Sequence, residues 1–229
     1  MTDAHFSPAT FEFLAALTEN NSKEWFEAHK DRYERVVRAP ALAFIRGLQP
    51  IMAKISRHFV ADDRKVGGSL MRIHRDVRFS ADKTPYKTNI GVHVRHEVGK
   101  DVHAPGFYLH LSVDEGCFVG VGMWKPEASA LQAVRERIVA APAAWKKARD
   151  DAGFRACFEI SGDTLKRPPR GYDPQHPYID DLRRTDHLAS SKVTHKDVCG
   201  AAGVARVGER FAAAKPYAKF LTQALDLPF

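Results

Sequence analysis

The sequence predicts an α+β protein, helical in its N-terminal third, with a central and mainly antiparallel sheet, and helical again at its C-terminus. Three observations carry this reading. Apolar residues recur at helical spacing up to about Ser56 and again beyond Pro126. Between Met71 and Trp124 they alternate instead with polar residues, the two-residue period of half-buried strands. Within that middle stretch, Glu115-Gly116 separates two alternating runs in the manner of a hairpin turn. Residues 1–229 are therefore expected to form a single α+β domain.

Ser7 before Pro8 marks the first helix start, with Phe6 placed to staple onto Phe11, and the helix should run to about Thr18. Asn21 followed by Glu24 reads as a capping box for a second helix bearing Phe26, Tyr33 and Val37. Pro40 is expected to end or kink it. Leu42, Ile45, Leu48, Met52 and Ile55 then continue a helical pattern to about Ser56, with a kink at Pro50. Met71, Ile73, Val77 and Phe79 alternate with Arg72, His74, Asp76 and Arg78, which predicts a strand. Further strands are expected at Asn89 to His96, around Phe107 to Val113, and at Cys117 to Trp124. A two-residue turn at Glu115-Gly116 would set Leu111 and Leu109 opposite Gly120 and Gly122, the glycines leaving room for a helix or a ligand. Helices should follow Pro126 and Pro142, the latter around Trp145, and Phe154 to Ile160 reads as a strand. Gly162 to Pro177 is a long, proline-stiffened loop. Thr194 with Asp197 resembles a capping box for a helix to about Ala214, and Pro216 opens the last helix.

Hydrophobic residues at 44% and charged residues at 28% are globular values, so disorder is excluded as a global description. Met1 to Phe6 has no basic-then-apolar pattern, and no apolar run is long enough to span a bilayer; a cytoplasmic protein without membrane association is expected. Cys117, Cys157 and Cys199 fit neither a disulfide framework nor a zinc site, which suits a reducing compartment. The net charge of +7 favours anionic partners. Ten basic and five acidic residues lie between Arg57 and Lys100, so most of the surplus sits around one segment.

That segment, Arg72 to Lys87, reads R-I-H-R-D-V-R-F-S-A-D-K-T-P-Y-K. On a strand, Arg72, His74, Asp76 and Arg78 would share a face, followed by a Ser80-Ala81-Asp82 turn, Lys83, Tyr86 and Lys87. Guanidinium groups grip phosphate or carboxylate bidentately, lysine adds a point charge, and His74 exchanges protons near neutral pH. An anion cradle of Arg72, Arg75, Arg78, Lys83 and Lys87 is therefore expected, although strand parity turns Arg75 away unless a bulge intervenes. Any chemistry would fall to His74 as general acid or base, with Asp76 orienting it or a neighbouring arginine. The competing reading is a surface ion-pair ladder in which Asp76 and Asp82 neutralise their neighbours.

The same string is similar to the signature of a family of bacterial and fungal proteins known as domain of unknown function 2461. N-S-K-E-W-F-E-A-H-K at Asn21 to Lys30, G-F-Y-L-H-L at Gly106 to Leu111, G-M-W-K-P at Gly122 to Pro126 and K-R-P-P-R-G-Y at Lys166 to Tyr172 also resemble it. The resemblance covers nearly the whole chain. It implies one domain and supplies no activity.

Lys166, Arg167 and Arg170 are presented on an extended proline-held backbone, and this loop, with Tyr172, is expected to form a second wall over the Arg72 strand. Tyr86 and His110 are further wall candidates, and Trp124-Lys125 offers an aromatic face beside a cation, although core packing is the simpler role for Trp124. His93 and His96 are three apart with a cation between them, and there is no Walker loop, G-x-G-x-x-G, G-x-S-x-G or C-x-x-C, so no metal or cofactor is expected. Three functions compete: a protein that binds, with or without turnover, a phosphorylated small molecule or nucleotide at a basic pocket; a nucleic-acid binder using the same surface; and a structural or interaction protein whose charges form an ion-pair network. No oligomeric state follows from the pattern.

Overall fold

A computed structural model of the chain describes residues 5–98 and 105–229. Its α+β architecture centres on six strands: β1 (Phe59–Val60), β2 (Asn89–His96), β3 (Gly106–Ser112), β4 (Cys117–Met123), β5 (Glu159–Ser161) and β6 (His187–Val193). They form one sheet of order β1-β2-β3-β4-β6-β5, antiparallel throughout.

The N-terminal helices are α1 (Pro8–Glu19), α2 (Lys23–Ala28), α3 (Lys30–Tyr33) and α4 (Ala39–Ile55). Ser7 N–H donates to Thr10 Oγ1 at 3.2 Å, and the Thr10 hydroxyl donates in turn to the Val36 carbonyl at 2.7 Å. Val36 is the carbonyl that Pro40, having no N–H, cannot serve by the regular helical bond. Pro40 consequently ends nothing: a π-helical turn at Glu34–Arg38 runs directly into α4, whose first turn contains it. The cap of α2 is Ser22, which accepts from Trp25 N–H at 3.2 Å, and not Asn21. Asn21 instead brackets the backbone of Tyr86, donating to its carbonyl at 2.9 Å and accepting from its N–H at 3.1 Å. A residue read as a local cap is thus a tertiary clasp.

The C-terminal part comprises α5 (Ala128–Ala140), α6 (Pro142–Arg149), α7 (Ala152–Cys157), α8 (Ile179–Leu182), α9 (His195–Val198), α10 (Gly203–Ala213) and α11 (Lys215–Ala224). The strand expected from Phe154 is mostly helix, because Asp151 caps Phe154 N–H at 3.0 Å and Phe154 stacks on Phe158 four residues on. Only Glu159–Ser161 extends. The Thr194–Asp197 capping box forms, but it opens the short α9; Gly200, at φ +73°, turns the chain before α10.

One face of the sheet is the core: Val92, Val94, Phe107, Leu109, Val119 and Val121 are buried there beneath α4, α10 and α11. Phe107 meets Phe211 of α10 at 5.2 Å and Phe59 at 5.1 Å between ring centroids. No helix among the described residues is long and apolar enough to cross a membrane.

The β3–β4 register differs by three residues from the expected one. His110 faces Phe118, Tyr108 faces Gly120 and Gly106 faces Gly122. Ser112 Oγ accepts from the N–H groups of Asp114 and Glu115 at 3.3 and 3.2 Å, which lengthens the turn. An odd shift exchanges the two faces of a strand pair. The glycines therefore lie with Tyr108 and His110, not with the leucines.

Candidate functional site

The second face of the sheet is built from cross-strand rows: Gly91, His110, Phe118 and Lys192; His93, Tyr108, Gly120 and Ser190; Arg95, Gly106, Gly122 and Leu188. Glycines at the centre of this face make a depression, and the space above it is a cavity of about 540 Å³ walled by Met71, Tyr108, Phe118, Trp124 and Leu188. Two of the glycines are required by what approaches them. A Cβ on Gly122, at φ +126°, would stand 1.9 Å from the His187 carbonyl oxygen, and one on Gly106 would stand 2.4 Å from His93 Nε2. Gly120 differs, since a Cβ there meets only Phe118 and Tyr108 at 3.7 Å.

A second cavity of about 540 Å³ shares Met71, Tyr108, His110 and Trp124, and adds Arg75, Asp76, Lys87, Asn89 and Glu115. The two make one groove, apolar over the glycines and polar at the other end. At that end Asn89 Nδ2 donates to His110 Nδ1 at 3.3 Å, the Tyr108 hydroxyl lies 3.4 Å from the same nitrogen, and Glu115 Oε2 is 2.9 Å from His110 Nε2. These contacts fit the tautomer with hydrogen on Nε2. Phe118 stacks on the His110 ring at 4.8 Å, and His110 is 6% exposed. Burial lowers the His110 pKa against the pull of Glu115, while burial and the same carboxylate push the Tyr108 hydroxyl up to about 12. Tyr108 is thus a phenol beside a neutral imidazole. At the apolar end Arg95 Nε donates to His93 Nδ1 at 3.2 Å; burial, then Arg95, brings His93 down to about 4.

The Arg72–Lys87 segment arches beside this groove and is not the strand its pattern suggests. Ser69 to Arg75 runs antiparallel to the chain entering β2, but pairing is confined to isolated bridges at Leu70–Val92 and His74–Tyr86, between which the register slips by two residues. Pro85, with no N–H, cannot complete a ladder. Arg72, His74, Asp76 and Arg78 are exposed while Met71, Ile73, Arg75 and Val77 are half-buried, so the alternation holds without the strand. It fails at Phe79, which is 95% exposed at the tip.

The expected cradle is largely paired within itself. Arg78 forms a two-pronged contact with Asp76 at 2.9 and 2.7 Å, which holds that carboxyl at about 2; Arg75 is tied to Asp82 and Thr84; Lys83 Nζ donates to the Val77 carbonyl at 2.9 Å. His74 lies against Tyr86, 5.3 Å between rings, and Asp76 is committed to Arg78, so these two do not form an acid–base pair. Tyr86 is buried on Phe26 at 4.2 Å and walls nothing. Arg75 does face away from Arg72 and Arg78, as parity requires, and this is what brings it to the groove. Arg72 and Lys87 have no side-chain hydrogen bond or ion pair among the described residues; burial and the Arg72 charge hold the Lys87 amine below the usual lysine range.

The loop bearing Lys166, Arg167 and Arg170 leaves β5, and its Tyr172 lies by Gln132, Glu136 and Arg135 of α5. The Arg72 segment borders β2. Neither cavity is lined by Lys166, Arg167, Arg170 or Tyr172, so the basic loop supplies no wall to the groove. His110 is the wall candidate that the structure places in the groove. Trp124, 52% exposed, belongs to its rim and not to the core, with Lys125 Nζ 5.0 Å from its ring. His93, Tyr108, Asn89 and Glu115 were not among the expected site residues. Their signal lies in the strand pattern: a solvent face made of His, Tyr, Phe and Gly is unlike the charged and threonine-rich face that water alone would favour.

Comparison with curated proteins and with solved structures returns no match. The model of one family does match, over residues 9–220, and its description is conserved hypothetical protein, DUF2461. That span takes in the sheet, the groove and the Arg72–Lys87 segment, and the chain belongs to this family of conserved hypothetical proteins.

Proposed function

We propose that the groove binds a phosphorylated small molecule or nucleotide, its flat apolar part over the glycine floor and its anionic part at the polar end. The observation that carries this reading is the junction of a cavity of about 540 Å³, walled by Tyr108, Phe118 and Trp124, with a second one lined by the unpaired Lys87. Aromatic walls around a floor without side chains suit a planar ring, and a cation without a counter-ion suits phosphate. Calorimetry with nucleoside monophosphates should give saturable binding. Gly120→Val, which raises the cavity floor beneath the ring without a positive φ to strain, should abolish it, and Lys87→Met should weaken it about tenfold or more. Binding untouched by both substitutions, or none at all, would reject the reading.

Phe79 favours a second reading, since an exposed ring beside Arg78 at a basic loop tip suits a stacked nucleobase. Single-stranded oligonucleotide binding that falls steeply with salt and is lost in Phe79→Ala would support it.

A further inference from the structure

We infer that Lys87 is a nucleophile, its amine forming an imine with a carbonyl-bearing anionic ligand, and that Tyr108 supplies the proton this condensation needs. The inference rests on the small-molecule reading of the groove and deepens it: the Lys87 ammonium draws the anion in, and the fraction of Lys87 that has lost its proton attacks a carbonyl on the same ligand.

The geometry supplies an amine and a proton donor and removes the amine's counter-ions. Lys87 is fixed through its backbone N–H, which donates to the Ile73 carbonyl at 2.7 Å, and its side chain lines the same cavity as Tyr108, His110 and Asn89. Two carboxylates share that cavity, and both are turned elsewhere: Asp76 to Arg78 at 2.7 Å and Glu115 to His110 at 2.9 Å. Burial and the Arg72 charge disfavour the ammonium form. A half-buried lysine whose ammonium form is disfavoured offers its lone pair at lower pH than a free lysine does, the condition for carbonyl attack. Tyr108 keeps its proton in the resting site, and Asn89 already donates to His110 Nδ1, so that nitrogen retains a partner when the Tyr108 hydroxyl turns to a ligand. Asn89, His110 and Glu115 are positioning residues in this scheme.

The step balances without an oxidant or reductant. The lone pair of Lys87 Nζ forms the C–N bond, and the carbonyl π pair moves to oxygen, which takes a proton from Tyr108. The nitrogen returns a proton to the phenolate. Tyr108 then protonates the carbinolamine hydroxyl, water leaves, and the remaining N–H proton restores the phenol. Tyr108 ends as a phenol again, carrying the last amine hydrogen, and the water takes away its original proton and the other amine hydrogen.

Pyridoxal 5′-phosphate, planar, anionic and an aldehyde, is a suitable probe on the full chain, followed by borohydride reduction and peptide mass spectrometry. One phosphopyridoxyl group per chain is expected on Lys87, with a rate that rises with pH through a midpoint below the ordinary lysine value. Lys87→Arg, which keeps the charge, should lose the adduct while still binding pyridoxine 5′-phosphate, the alcohol that cannot condense. Tyr108→Phe, which keeps the ring in the cavity wall, should slow adduct formation about 100-fold when compared at concentrations that saturate each protein with the aldehyde. If the alcohol binds and Gly120→Val blocks it, yet label spreads over exposed lysines with Lys87 unmodified, the imine is overturned and the binding reading stands. If neither compound binds saturably, both fall.

Discussion

The two faces of the sheet are made by the same strands and could hardly differ more. On one, Val92, Phe107, Leu109 and Val119 meet three helices and are fully buried; on the other, Tyr108, His110 and Phe118 stand around glycines and a cavity. The packed face holds the protein together, since each large apolar side chain removed from water there contributes about 1.5–3 kcal/mol. The second face gives up much of that contribution. Side chains are missing where they would have filled space, and polar rings occupy positions that are partly desolvated. Such a surface is a poor stabiliser and a good receptacle.

The largest expected effect tests whether the second face is nevertheless rigid. Gly122→Ala sets a Cβ 1.9 Å from a carbonyl oxygen at a backbone φ of +126°, and should lower stability by about 3–5 kcal/mol in urea denaturation. Gly120→Ala, two residues away on the same face, should change it by less than about 1 kcal/mol, because its Cβ makes only ordinary van der Waals contacts. Equal losses at the two positions would mean that the floor at Gly120 is as tightly packed as that at Gly122.

A second effect compares one histidine from each face. His93 on the cavity side and His187 on the helix side are both held neutral, at about 4, chiefly by burial. Their folded-state pKa lies below the unfolded value near 6.5, so the unfolded chain takes up protons that the folded one refuses. Stability is therefore full above about pH 6.5 and declines as pH falls towards 4, by about 3 kcal/mol for each residue. His93→Gln should remove about half of this slope in urea midpoints measured from pH 7 to 4. A ligand in the groove should alter only the His93 share.

The smallest effect concerns the arch between the faces. Arg72→Ala with Arg78→Ala should leave the urea midpoint nearly unchanged, as exposed ion pairs are weak. A clear drop in the midpoint would make the Arg78–Asp76 pair part of the framework and not an ornament of its surface.

Much of the fold was legible because it depends on local period. Alternation placed β2, β3 and β4, and Pro8, Pro142 and Pro216 marked helix starts that the structure keeps. The errors have two causes. Asn21 is taken by a partner far along the chain, Tyr86, whereas the strand expected from Phe154 and the β3–β4 turn were decided by nearby polar side chains, the Asp151 cap and the Ser112 hydroxyl, to which apolar periodicity is blind. The charged segment misled in the same way, since its formula announces cations and only packing shows that Asp76, Asp82, Thr84 and the Val77 carbonyl already engage three of them.

The sequence by itself determined the α+β class, the family, the exposure pattern from Met71 to Val77 and the presence of a basic surplus, for these are properties of composition and of the two- and three-to-four-residue periods. Only the tertiary structure decided which face of the sheet carries the glycines, that Tyr108, His110, Glu115, Asn89 and Lys87 converge, and that Lys166, Arg167 and Arg170 do not line the groove with them. The physical reason is register. A strand's pattern says which residues share a side, but only pairing across strands fixes which sides coincide, and here a three-residue difference in one turn exchanged leucines for a site.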